Sequence, residues 1–239
     1  RRLAGVAMTA RSAELAANLR SVRGAIEAAC DSAGRDPAGV TLVGITKTWP
    51  VEDVRALAGL GLTEFGENRH AELSEKAEQT AELALRWHFV GQLQANKARV
   101  VAGCASVVHS VDRQRLVEAL SAAAVGHGRT IDALIQVSLD GDVSRGGAAP
   151  DEVGDLAAAI AAADGLRLAG VMAVPPLGAD PSSSYQRLAA IAADLQATHP
   201  TATTISAGMS ADITAAIQAG STLVRVGTAL LGGRAPLVG

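Results

Sequence analysis

The chain has 239 residues, 49% hydrophobic and 19% charged, with a formal net charge of −3. That balance gives no basic field for nucleic acid, and 2% aromatic content gives no base-stacking platform. No apolar run reaches the roughly 18 residues that cross a bilayer. Cys30 and Cys104 lie far apart and outside metal-ligand spacing, so a reduced, cytoplasmic protein is expected, without disulfide or metal. Arg1-Arg2 and the apolar residues after them resemble a leader only faintly, because Arg11 interrupts the run. Met8 is a candidate start. Residues 1–11 are read as a flexible extension and 12–239 as a single domain.

Taken in order, Leu15, Leu19, Val22 and Ile26 recur at helical spacing and predict a helix over 12–31, N-capped by Ser12. A β-branched strand then runs from Thr41 to a lone Lys47 and is stopped by Pro50. A helix over 51–60 ends at Gly61. Further strands are expected over 62–66, 86–90, 106–109, 131–138, 166–173, 203–206 and 223–226. The intervening helices are opened by Glu67-Asn68-Arg69 and by an Asp112 N-cap, or lie over 96–102, 151–163, 183–198 and 211–219. A glycine-rich loop covers 140–147, and Pro175-Pro176 stops the sixth strand. Strands alternating with helices imply parallel pairing, and eight such units fit an α/β fold: a single (β/α)8 TIM barrel with an extra N-terminal helix. A doubly wound open sheet is the alternative.

In such barrels the chemistry gathers at the C-terminal strand ends. Lys47 ends the first strand. A desolvated lysine loses its proton readily and can attack an aldehyde; the alternative is a strand-end lysine reaching into solvent. Gly208 and Ser210 follow the seventh strand, Gly227 and Thr228 the eighth. Small residues, hydroxyls and free N–H groups there would cradle a phosphate. Separately, Ser210 also reads as an ordinary N-cap and Gly227 as a turn glycine. Arg225 shares a face with Gly227 and, inside a barrel, requires an acceptor: an aromatic ring nitrogen of a ligand or the carboxylate of Glu67. His109 and His127 are read as surface or strand-end histidines, and Lys97 and Arg99 as a solvated helix face. Trp49 and Trp87 are read as packing residues, and the charged stretch 72–82 as a solvated helix.

An aldehyde-binding lysine, a phosphate cradle and an arginine beside it together resemble the pyridoxal phosphate homeostasis proteins, a family related to the N-terminal barrel of alanine racemase. The blocks that carry the resemblance are Gly44-Ile45-Thr46-Lys47-Thr48, Phe65-Gly66-Glu67-Asn68, the stretch from Trp87-His88 to Asn96-Lys97, His109-Ser110-Val111-Asp112, Gly170-Val171-Met172-Ala173, and the run from Gly208-Met209-Ser210 to Gly232. The resemblance implies pyridoxal 5′-phosphate as cofactor, carried on Lys47 as an internal aldimine. It implies Ser210, Gly227 and Thr228 at the phosphate, Arg225 facing the pyridine nitrogen, and Asn68, His88 and Met172 lining the pocket. Three positions depart from the family pattern. Gln92 stands where a histidine is usual, Trp49 where a lysine is frequent, and Arg145-Gly146 in place of Lys-Gly.

The function expected is reversible holding of the cofactor without robust catalysis. Such a protein limits free aldehyde and passes the cofactor transiently to apo-enzymes. Arginine is permanently cationic and would keep the ring nitrogen unprotonated, which weakens the electron sink. The resemblance gives the racemase a second base, a tyrosine on an added β-domain. No such domain is expected before Gly239, and the one tyrosine, Tyr185, falls after the sixth strand. A small racemase or lyase is the alternative. A third reading is a barrel that binds another phosphate ester with Lys47 as an electrostatic clamp. A monomer is expected.

Overall fold

The β-branched and apolar runs form the strands of a closed parallel barrel, ordered as in the sequence. They are β1 (Thr41–Ile45), β2 (Glu64–Glu67), β3 (Arg86–Phe89), β4 (Val107–Val111), β5 (Ile131–Gln136), β6 (Leu166–Met172), β7 (Thr204–Ser206) and β8 (Leu223–Val226). The computed structural model describes residues 9–142 and 145–233. Most of the expected extension, including the candidate start Met8, lies outside the described residues. The outer layer comprises α1 (Ala10–Ser32), α2 (Val51–Gly59), α3 (His70–Gln79), α4 (Ala98–Cys104), α5 (Gln114–Gly126), α6 (Val153–Ala162), α7 (Pro181–Thr198), α8 (Ile213–Gln218) and α9 (Thr228–Leu231). The expected (β/α)8 barrel with an added N-terminal helix is what forms. Among the described residues no helix is long and apolar enough to cross a membrane.

Strand alternation sorts the side chains into two layers. Phe65, Trp87, Val108, Ala133 and Val224 join the helices in one large core. Inside the barrel, Val43, Ile45 and Leu223 meet Val90, and Val107, Leu134 and Met172 meet Ala169. The ring closes where β8 pairs with β1, from Thr41 opposite Leu223 to Gly44 opposite Val226. Little helix follows β8, and α1 covers that seam by packing on α2, α8 and α9.

Several boundaries differ from expectation. Helix α1 starts two residues early, with Thr9 as N-cap; its hydroxyl accepts from the Ser12 N–H. Thus Ala10 and Arg11 of the expected extension are helical. β1 stops at Ile45, leaving Lys47 in a turn beyond the strand. Asp112 does not cap α5. Its carboxylate pairs with Arg113 and accepts from the Gly147 N–H.

Phe65 is fully buried and its ring centroid lies 5.8 Å from that of Trp87. Replacing it by alanine removes that contact from the strand–helix interface. Phe65→Ala is expected to lower the unfolding free energy by about 3–5 kcal/mol in urea titration.

Candidate functional site

Because all the strands are parallel, their C-terminal ends open on one mouth. Continuing the β1–β2 register, in which Ile45 lies opposite Gly66, sets Lys47 opposite Asn68. Continuing the β8–β1 register sets Gly227 opposite Ile45. Lys47 is half-buried, and among the described residues its amine has neither ion-pair nor hydrogen-bond partner. Asn68 is half-buried as well.

At the neighbouring strand ends, Ser210 Oγ accepts the Ala229 N–H at 3.1 Å and joins the loops after β7 and β8. Contrary to expectation, Ser210 is not the cap of α8; that position is Asp212. The Asp212 carboxylate accepts from the Met209 N–H at 2.6 Å and from the Tyr185 hydroxyl at 2.9 Å, which fixes the loop from behind. Gly208 takes φ 96°, and a Cβ there would lie 2.7 Å from the Ala216 Cβ, so both backbone and space require glycine. Gly227 differs. Its φ is −111°, and a Cβ would only touch Ile45 O at 3.4 Å. The fold does not demand glycine there, whereas a group seated on the backbone would. The N–H groups of Ser210, Gly227 and Thr228 have no backbone partner among the described residues. Thr228 is exposed.

Arg225 lies inside the barrel, 6% exposed, below Gly227. Its acceptor is not Glu67. The guanidinium donates to the carbonyls of Ser206 (2.8 Å) and Ala173 (3.1 Å) and to Ser206 Oγ. Its Nε–H has no partner among the described residues. Burial lowers its pKa to about 10, which leaves it charged at neutral pH. Glu67 points the other way, into the helix layer. There it accepts from Lys76 Nζ and Thr46 Oγ1, each at 2.6 Å. Lys76 belongs to the stretch read as a solvated helix, yet it is 7% exposed.

His88 and His109 are both fully buried, so the surface reading of His109 is overturned. His127 is at the surface as expected, with its ring Nε2 3.0 Å from the Arg99 carbonyl. His88 lies deeper than the mouth. Its Nε2 meets Glu64, and its Nδ1 is 2.8 Å from His109 Nε2. His109 Nδ1 is 2.9 Å from Ser206 Oγ. An ionised carboxylate only accepts, so Glu64 orients the whole chain. His88 donates to Glu64, His109 to His88, Ser206 to His109, and Arg225 to Ser206. Every ring nitrogen is satisfied with both imidazoles neutral. At the floor, Arg86 bonds Asp132 and approaches Glu64 at 3.7 Å, and Arg167 also bonds Asp132. None of this chain beyond Arg225 and His88 was foreseen. The signal available was alternation, which places Glu64, His88 and Arg225 on inward positions of their strands.

A cavity of about 310 Å³ lies between the ends of β3, β5 and β6, lined in part by Val90, Gln92, Gln136, Gly146 and Met172. Two departures from the family pattern meet there, Gln92 and Arg145. Arg145 itself is engaged by Asp140 and by the carbonyls of Val174 and Pro175. Trp87 and Trp49 are packing residues, as expected: Trp87 is buried, and Trp49 is half-buried against the core, with the Arg11 guanidinium 4.6 Å from its ring centroid.

Burial, reinforced by the neighbouring His88 and the cations Arg225 and Arg86, holds His109 well below the ordinary imidazole range. Burial also lowers His88, against the opposing pull of Glu64. The unfolded rings take protons as pH falls through about 6.5, and the folded ones do not. Stability contributed by the neutral pair is therefore complete above that pH and declines below it. His109→Gln is expected to flatten the dependence of unfolding free energy by about 1.4 kcal/mol per pH unit between about pH 6 and 5. Urea titrations across that range test this.

Residues 13–235 match the family model of the alanine racemase N-terminal domain. The pyridoxal phosphate homeostasis protein of Mycobacterium leprae is 41% identical over 240 residues, covering 93% of this chain and 93% of that protein. The Escherichia coli protein of the same name is 38% identical over 231 residues, covering 92% and 97%. Among solved structures, PipY of Synechococcus elongatus with PLP bound aligns at TM-score 0.78 and 32% identity, over 91% of this chain and all of that one. Alanine racemase of Corynebacterium glutamicum shares the fold at TM-score 0.66 and 17% identity, over 95% of this chain and 62% of its own.

Proposed function

The chain belongs to the pyridoxal phosphate homeostasis protein family, and we propose that it binds pyridoxal 5′-phosphate reversibly in the cytoplasm, as a monomer that holds the cofactor without robust catalysis and yields it to apo-enzymes. The observation that carries this reading is a lysine, unpaired among the described residues, that follows the strand paired with the one leading into an anion cradle. Lys47 joins the aldehyde as a Schiff base. Ser210, Gly227 and Thr228 take the phosphate through N–H and hydroxyl donors. Arg225 offers its unspent N–H to the ring nitrogen, Asn68 and Met172 border the ring, and His88 supports the floor beneath them. The Gly227 N–H, without a backbone partner among the described residues, fits a phosphate. The bound cofactor supplies an electron sink whose strength depends on protonation of its ring nitrogen.

Two features of this chain favour retention over turnover. Arg225 donates and does not release a proton, so it holds the ring nitrogen unprotonated. Tyr185 is 2% exposed and its hydroxyl is given to Asp212; burial raises its pKa, and the Asp212 charge raises it further. It is not poised as a second base.

The test is the absorbance of the purified protein mixed with the cofactor. A yellow band is expected that borohydride bleaches, leaving a mass label on Lys47. Lys47→Ala is expected to lose both band and label while keeping weaker binding through the phosphate. A band that survives Lys47→Ala would overturn the lysine assignment. Turnover of amino acids at the roughly 1–10³ s⁻¹ of ordinary enzymes would favour the racemase or lyase reading.

A further inference from the structure

The residue after Lys47 has a left-handed backbone: Thr48 takes φ 67°. A β-branched residue in that region is a steric outlier, and it persists only where its surroundings hold it. The turn is closed locally, the Trp49 N–H donating to the Thr46 carbonyl at 3.0 Å and the Thr48 hydroxyl to the Lys47 carbonyl, and it is held from outside by α3. The Thr48 N–H donates to Glu72 Oε2 at 2.7 Å. On the other side of Lys47, the Thr46 carbonyl accepts from Lys76 Nζ at 2.7 Å, and the Thr46 hydroxyl donates to Glu67. Lys76 ties the two sides together, 2.6 Å from Glu67 Oε1 and 3.9 Å from Glu72 Oε2. Glu72 and Lys76 lie one turn apart on α3, and Arg69 approaches Glu72 at 3.8 Å. Both peptides that flank Lys47 are thus fastened to one helix.

An ordinary strand-to-helix turn needs none of this. Burying Glu67 and Lys76 carries a desolvation cost that their mutual attraction only partly offsets, and Glu67 Oε2 has no hydrogen-bond partner among the described residues. A surface turn would also relax Thr48 into the ordinary right-handed region. The tension is kept at the residue that follows Lys47, whose amine has no partner among the described residues.

We propose that Glu72, backed by Lys76 and Glu67, is a positioning residue: it holds the Lys47 turn in its strained form and so aims the amine over the mouth for condensation with a carbonyl. This rests on the reading of Lys47 as the cofactor's amine. In that step the amine nitrogen adds to the carbonyl carbon, and the carbonyl oxygen leaves as water.

The experiment uses the full chain with pyridoxal 5′-phosphate as probe. Samples are quenched over time with borohydride, which delivers hydride to the C=N carbon and leaves a stable secondary amine, and label on Lys47 is read by peptide mapping. Glu72→Ala is expected to slow labelling about tenfold, the effect of losing one charge-assisted hydrogen bond. Its Thr48 backbone, read by NMR chemical shifts without cofactor, is expected to leave the left-handed region. In Glu72→Gln the amide oxygen still accepts the Thr48 N–H, so labelling should stay near the parental rate. Thr48→Gly combined with Glu72→Ala should recover most of the rate, because glycine occupies that φ without a Cβ clash. Labelling of Glu72→Ala at the parental rate, or a double variant no faster than it, overturns the proposal. A parent chain that carries no label on Lys47 would instead overturn the reading beneath it.

Discussion

A guanidinium inside a closed barrel keeps its charge, and the interior is arranged around that fact. Barrel cores of this kind are usually layers of branched aliphatic side chains. Here two small apolar clusters flank a polar seam that starts at Arg225. Arg225 binds carbonyls that follow β6 and end β7, so satisfying it also locks β6, β7 and β8 together. The Ser206 hydroxyl then requires an acceptor, His109 requires one in turn, and the sequence of donors ends only at the Glu64 carboxylate. Each member is neutral between the two charged ends, which spares the barrel a second buried ion. Removing any one of them strands a donor or acceptor where water does not reach.

The two sides of the mouth are held by the same device. A helix carboxylate takes the N–H of an irregular loop residue: Glu72 that of Thr48 and Asp212 that of Met209. Each carboxylate is itself tied to a second element, Glu72 through Lys76 and Asp212 through Tyr185. Loops placed this way are set by the rigid layer behind them.

The eighth strand was legible to the residue, because a short β-branched run bounded by Thr222 and Gly227 leaves little freedom. The barrel was legible from the repeated alternation of strand and helix. What misled was polar burial. His109 and Lys76 sit in locally ordinary patterns, and they are buried because their partners, Ser206 and Glu67, arrive from other elements. Glu67 as the partner of Arg225 could have been rejected from parity alone. A Cβ on Gly66 would meet Ile45 and Val43 inside the barrel, so Glu67, one residue on, faces the helices. Ser210 and Asp212 both suit a cap, and no local rule separates them. The choice is made by Tyr185, 27 residues earlier in the chain.

The added helix has a structural part in the mouth as well as in the core. Arg11, on its first turn, bonds both oxygens of the buried Asp53, at 3.1 and 2.7 Å, and the Leu231 carbonyl at 3.0 Å. It also covers the Trp49 ring. One side chain thus joins the turn that follows Lys47, the start of α2 and the end of α9. A lysine at position 49 would place a second cation beside Arg11 and give up the ring contact, worth about 0.5–1 kcal/mol where exposed. The departure at Trp49 and the position of Arg11 therefore explain each other. Arg145 follows the same logic, because its charge is consumed by Asp140 and two carbonyls and so orders the rim. With those two cations engaged in structure, Lys47 is left as the amine at the end of β1 without a partner among the described residues.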